Sequence, residues 1–216
     1  MKNRPPACWL ESPPGGACNP ARSAWLADPA RGPRPRFAAA PRLAVPDDLP
    51  AIVALQAHAL RRLARSVYTT RQIEAFIDMG TMDLELIDSG RYYVVERQAT
   101  LVACAGWSLD ELDDGKTALV RAVYVHPDWA RRGLGSLLMN HVHRQAQQAG
   151  CQSLRLIATL SGVPLYRQLG YAQTSAAQFP LRGGQSLTVR HMALGIPPSP
   201  NEAPNAPNHD INAKRT

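Results

Sequence analysis

Residues 117–158 hold the pattern that most restricts the fold. Residues 117–125 are rich in β-branched side chains and read as a strand. His126-Pro127-Asp128 ends that strand, and Gly133-Leu134-Gly135 opens a helix. Leu134, Leu137, Leu138, Val142, Ala146 and Ala149 recur on one face of the helix, and Gly150 supplies its stop. Leu154, Leu156 and Ala158 then alternate as the next strand. Strand, glycine turn, helix and strand make a crossover unit, whose two strands must run parallel.

The rest of the chain arranges itself around that unit. Residues 42–45 form a first strand, and Asp47 or Asp48 caps a helix carrying Leu49, Ile52, Val53, Leu55, Leu60 and Leu63. Thr70 caps a shorter helix through Ile73, Phe76 and Ile77 that ends at Gly80. From Arg91 the period becomes two: 92–96 and 101–109 are strands joined by a turn near 98–100. A short helix spans 164–169 and stops at Gly170, and Tyr171 with 187–194 supplies a closing hairpin. The expected class is mixed α/β (α+β), a mostly antiparallel central sheet with one parallel strand pair and flanking helices.

Proline marks the expected limits of the domain. Residues 1–40 hold eight of the 19 prolines and residues 195–216 hold five. Both stretches lack a periodic apolar pattern able to offset ordering entropy. The expected organisation is a disordered Pro/Arg/Ala-rich arm over 1–40, a folded domain over 41–194, and a disordered tail over 195–216. The net charge of +7 follows the same division, because residues 1–40 carry six Lys/Arg against two acids. No basic helix interleaved with stacking aromatics accompanies this charge, so no nucleic-acid partner is expected. Cys8, Cys18, Cys104 and Cys151 form no CxxC pair, which argues against a zinc site or disulfide framework. Pro5, Pro6, Pro13 and Pro14 interrupt the place where a signal peptide needs an apolar run. No stretch approaches 18 apolar residues, so a cytoplasmic location without membrane partners is expected.

The chemistry concentrates in Arg131-Arg132-Gly133-Leu134-Gly135-Ser136. A helix start after a strand offers amides with no internal partner, and its dipole favours negative charge. Glycines let phosphate oxygens approach those amides, and two arginines add charge at the same mouth. Leu138 stands where a dinucleotide fingerprint wants its third glycine, and the Gly-Lys-Ser/Thr ending of a P-loop is missing. A pyrophosphate cradle and a plain tight turn are both consistent with the loop by itself.

Two longer motifs separate those readings. Val123-Tyr124-Val125-His126-Pro127-Asp128-Trp129-Ala130-Arg131-Arg132-Gly133-Leu134-Gly135 resembles the acetyl-CoA-binding segment of GNAT acetyltransferases. Pro164-Leu165-Tyr166-Arg167-Gln168-Leu169-Gly170-Tyr171 resembles their second signature, in the expected position after the next strand. The resemblance implies the GNAT fold, with the parallel pair splayed, and an N-acetyltransferase moving an acetyl group from acetyl-CoA to a primary amine of a small molecule or peptide. It implies cofactor contacts from Val123, Tyr124, Val125, Arg131, Arg132, Gly133, Leu134, Gly135 and Ser136. Ala130 departs from the family's first loop position. Ser161 stands where relatives often have Asn, and is expected to keep a polar contact to the cofactor. Tyr166 matches the family's tyrosine that protonates the departing thiolate; without the motif it reads as packing. No metal is implied.

The position where many relatives carry a glutamate base aligns with Leu119, which accepts no proton. Glu96, Asp110, Glu111 and His126 remain as alternatives. That substitution also suits an alternative role, a non-catalytic acyl-CoA-binding sensor of the same fold. Tyr68 and Arg71 lie in a segment that resembles part of the acceptor site in some relatives. Family members often dimerise, so a homodimer is compatible with the resemblance.

Overall fold

The computed structural model describes residues 40–80, 83–112 and 115–196. The expected disordered arm (1–40) and tail (195–216) fall outside these residues, apart from residue 40 at one end and 195–196 at the other. Seven strands form one sheet in the order β1-β2-β3-β4-β5-β7-β6. They are β1 (Arg42–Leu43), β2 (Tyr92–Arg97), β3 (Thr100–Leu109), β4 (Thr117–Val125), β5 (Ser153–Thr159), β6 (Ala172–Pro180) and β7 (Ser186–Gly195). The helices are α1 (Leu49–Leu63), α2 (Thr70–Ile77), α3 (Asp83–Asp88), α4 (Leu134–Gln148) and α5 (Val163–Gln168). Every pairing is antiparallel except β4 with β5, and α4 forms the crossover between those two strands. The sheet is therefore mixed and mostly antiparallel, as expected.

Local chemistry explains the boundaries. Asp48 stands at the start of α1, but its carboxylate does not cap that helix. It accepts instead from the Val45 amide at 2.9 Å and from the Arg42 guanidinium at 2.7 Å, closing the turn before the helix. The second cap is Thr69 rather than Thr70: Thr69 Oγ1 accepts from the Gln72 amide and Gln72 Oε1 accepts from the Thr69 amide. Only a residue three positions before Gln72 can close that reciprocal box. The β2–β3 hairpin turns at Gln98 and Ala99, both at positive φ (49° and 57°), the geometry that suits the twist of a two-residue turn. Helix α3 has only six residues, and the apolar period did not reveal it.

The two sheet faces bury different clusters. On one, Leu134, Leu138, Met139 and Val142 of α4 pack with Val102, Ala118, Leu154 and Tyr166. Burying each large side chain there contributes roughly 1.5–3 kcal/mol. On the other, Ile52 and Leu55 of α1 meet Leu86, Ile87, Tyr92 and Val94. A third cluster joins Leu60, Ala64, Tyr68 and Ile73 to Phe179 and Leu187 under the closing hairpin. Cys104 and Cys151 are buried thiols, neither of them in a disulfide. Among the described residues, no helix is long and apolar enough to cross a membrane.

Candidate active site

The site begins where the parallel ladder stops. β4 pairs with β5 from Thr117–Ser153 to Val120–Leu156 and no further. Beyond that point β4 stays with β3 and β5 stays with β7, leaving a wedge between the two strands. A bulge in β4 shapes the wedge. Arg121 pairs with Gly106 and Tyr124 with Cys104, so one residue of β3 spans two of β4, and Ala122 takes φ 52°. The extra residue reverses the alternation of the strand. Ala118 and Val120 face the α4 cluster, and so do Val123 and Val125 after the bulge. Ala122 and Tyr124 are thereby turned to the α1 face.

A cleft of about 1070 Å³ passes through this wedge. Val123, Tyr124 and Val125 line one side, and Thr159, Ser161 and Gly162 the other. The loop 130–136 lines it on the α4 side, and Ala59, Leu60, Leu63 and Ala64 of α1 line it from the other face of the sheet. Leu165 and Tyr166 of α5 also line it.

On the loop side, Gly133 is the N-cap residue of α4 at φ 88°, a left-handed conformation that glycine adopts without strain. No side chain caps the helix, so the amides of Leu134, Gly135 and Ser136 have no partner within it. Leu134 and Ser136 bury their side chains, which leaves their amides as the groups able to meet a ligand. The glycine at 135 has a second reason. A Cβ there would lie 2.9 Å from Leu165 Cδ2, so Gly135 lets α5 sit against the first turn of α4. Arg131 is exposed, and the Arg132 guanidinium lies over the Trp129 ring at 5.2 Å. This side can hold a diphosphate through amides, dipole and two cations. Ser161 is exposed, its hydroxyl 3.2 Å from that of Thr159.

Tyr166 is buried, lines the cleft, and makes no hydroxyl hydrogen bond to a described residue. Burial raises its phenol above the ordinary tyrosine value, so it holds its proton at neutral pH. The Tyr171 ring meets it edge-on at 5.8 Å, and the Tyr171 hydroxyl is 2.9 Å from Nε2 of buried His143. Burial pushes His143 down to about 4, so that imidazole is neutral at physiological pH. The sequence reading did not find this support, because His143 lies on α4 and Tyr171 follows α5.

Other expected residues sit elsewhere. The Tyr68 hydroxyl donates to the Thr188 carbonyl at 2.6 Å and accepts from the Leu160 amide at 2.8 Å, bracing the end of β5 against β7. Neither Tyr68 nor exposed Arg71 lines the cleft. Leu119 pairs with Arg155 inside the closed part of the ladder. Of the alternative bases, Glu96 bonds to Arg42 at 3.0 Å, Asp110 lies 3.4 Å from Arg155, and His126 stacks 4.9 Å from His58. None of these, nor exposed Glu111, lines the cleft. Among the described residues, no group of three or more His, Cys, Asp or Glu is placed to hold a metal.

A sheet opened beside a helix start whose first amides have no partner within the helix, with a buried phenol lining the same gap, is the geometry to set beside known proteins. Residues 88–173 match the acetyltransferase (GNAT) domain family. An amino-acid acetyltransferase of Pasteurella multocida is 25% identical over 139 residues, covering 64% of this chain. The chain spans 28% of that relative's length. A GCN5-related N-acetyltransferase from Rhodopseudomonas palustris superposes with a TM-score of 0.63 at 21% identity, over 74% of this chain and 97% of that one. The PaiA N-acetyltransferase of Thermoplasma acidophilum, solved with coenzyme A, superposes at 0.60 and 13% identity, over 74% and 99%. The chain has the GNAT fold, and over residues 88–173 it is similar to the acetyltransferase (GNAT) domain family.

Proposed function

We propose that this chain is an N-acetyltransferase that moves the acetyl group of acetyl-CoA to a primary amine by direct attack, acting in the cytoplasm through the domain 41–194. The observation that carries this reading is the continuity of one cleft, from Gly133, Gly135 and Ser136 at the start of α4 to the phenol of Tyr166. The residues fit the carrier: amides, Arg131 and Arg132 suit its diphosphate, and the free edge of Val123–Val125 suits an extended amide-bearing arm. Acetyl-CoA supplies the activated thioester. The amine nitrogen bonds to the acetyl carbon as the carbon–sulfur bond breaks. Tyr166 donates its proton toward the sulfur, and the amine gives up one proton. With no carboxylate among the described residues that line the cleft, the amine enters neutral and the proton it sheds after attack passes to water.

The same lack of a carboxylate among the described lining residues favours the second reading, a sensor that binds acyl-CoA without turnover. Calorimetric titration with acetyl-CoA, followed by thiol release against an amine panel, separates the two. Binding with turnover supports the enzyme, binding alone supports the sensor, and no binding removes both. Tyr166→Phe is expected to lower kcat by about 10²-fold while acetyl-CoA still binds. An unchanged kcat takes Tyr166 out of the mechanism.

A further inference from the structure

The α1 side of the cleft is built from apolar side chains. Ala59, Leu60, Leu63 and Ala64 lie on one stripe of α1, the alanines hollowing it and the leucines flanking it. Leu63 is 40% exposed and forms an apolar lip, with Val67 (39% exposed) four residues on. Tyr124, turned to this face by the bulge, lines the same side, and its hydroxyl makes no hydrogen bond to a described residue. The charged side chains among the described lining residues are Arg131 and Arg132, both on the loop side.

We infer that the acceptor is a monoamine on an uncharged, apolar alkyl or arylalkyl scaffold, seated against the α1 stripe, with the Tyr124 phenol as hydrogen-bond partner of its nitrogen. This rests on the acetyltransferase reading above. An amino acid brings a carboxylate to the α1 side, where no described lining residue carries a cation, and an unpaired buried charge is expensive. A diamine brings a second ammonium with no acid among the described lining residues to meet it. A neutral amine on an apolar body has neither difficulty, and the apolar wall favours its uncharged, nucleophilic form.

The test uses the full chain and matched amines. Acetyl-CoA binding is measured first; its failure overturns the acetyltransferase reading and the acceptor assignment together. Thiol release is then compared for phenethylamine and phenylalanine, which differ by one carboxylate. The expected kcat/KM favours phenethylamine by about 10²-fold or more. With acetyl-CoA bound, equal rates, a preference for phenylalanine, or turnover of neither amine overturns the assignment. Leu63→Arg, at the exposed lip, is expected to move the ratio toward phenylalanine by about tenfold while the acetyl-CoA Kd holds. An unmoved ratio places the acceptor elsewhere. Tyr124→Phe is expected to raise the amine KM several-fold, in line with one lost hydrogen bond, with little change in acetyl-CoA Kd. An unchanged KM removes Tyr124 from the contact.

Discussion

The two sides of the cleft are made of opposite materials. The loop side works through backbone: the amides of Gly135 and Ser136, a glycine in a left-handed conformation, and two arginines. The α1 side works through side-chain shape: two alanines, two leucines and a phenol. A ligand group common to every reaction of a family is well served by backbone, which side-chain substitution leaves in place. A variable group is served by side chains, which change freely. The contrast teaches that the carrier side is read from contiguous sequence, whereas the acceptor side is read only after folding.

Three measurements would break or sharpen that contrast. The largest effect is expected from Gly135→Leu, whose added atoms meet Leu165 and push α5 away from α4. Overpacking of this kind costs roughly 1–3 kcal/mol, so acetyl-CoA binding is expected to weaken by about 10²-fold in calorimetry. A Kd left unchanged would mean that the start of α4 does not hold the carrier.

The next effect concerns α4, which carries the loop amides at its start and His143 under Tyr171. His143 is depressed to about 4 when folded and returns to the ordinary histidine range when unfolded. Its neutral form is therefore the one that folding favours. Its contribution is complete above pH 6.5 and fades as pH falls toward 4, with about 2 kcal/mol of stability lost by pH 5. Urea unfolding from pH 7 to 5 should show this slope in the native chain and a shallower one in His143→Gln. Equal slopes would place the acid sensitivity elsewhere. Tyr166 turnover should follow the same fall if the His143–Tyr171 pair steadies that ring.

The smallest effect is expected from replacing Arg131 and Arg132 together by alanine. Surface cations beside a diphosphate contribute modestly, so acetyl-CoA affinity should drop about tenfold at low salt, and by less as salt rises. The amine KM should not move. A larger change in amine KM than in acetyl-CoA Kd would reverse the assignment of the two sides.

The fold was largely legible because its signals are local. The crossover 117–158 reads from β-branched residues, Gly133, Gly135 and one apolar helix face, and the β2–β3 hairpin from a change of period. Helix α3 escaped because six residues between Gly80 and Gly90 give less than two turns of pattern. Thr69 was missed for Thr70 because the cap depends on where Gln72 points. Within the site, the loop and Tyr166 were visible as contiguous motifs. Leu60 and Leu63 were read as ordinary helix-core positions, since an apolar stripe looks the same whether it meets a sheet or a ligand. Tyr68 read as an acceptor-site candidate because nothing in its own segment reveals the Thr188 carbonyl 120 residues away. The supernumerary residue in β4 is invisible to a period-two reading, which places Tyr124 on the α4 side.

That one extra residue at Ala122 makes β4 far more sensitive to length than to spelling. Exchanging Ala122 for glycine leaves the count intact, and the left-handed backbone suits glycine as well. Deleting it would restore strict alternation with Val123 and Val125 still on the α4 side and Tyr124 still on the α1 side, but it would remove the bulge that bends β4 where the parallel ladder stops. The loss of a single methyl-bearing unit would then let β4 run straight beside β5 and narrow the wedge.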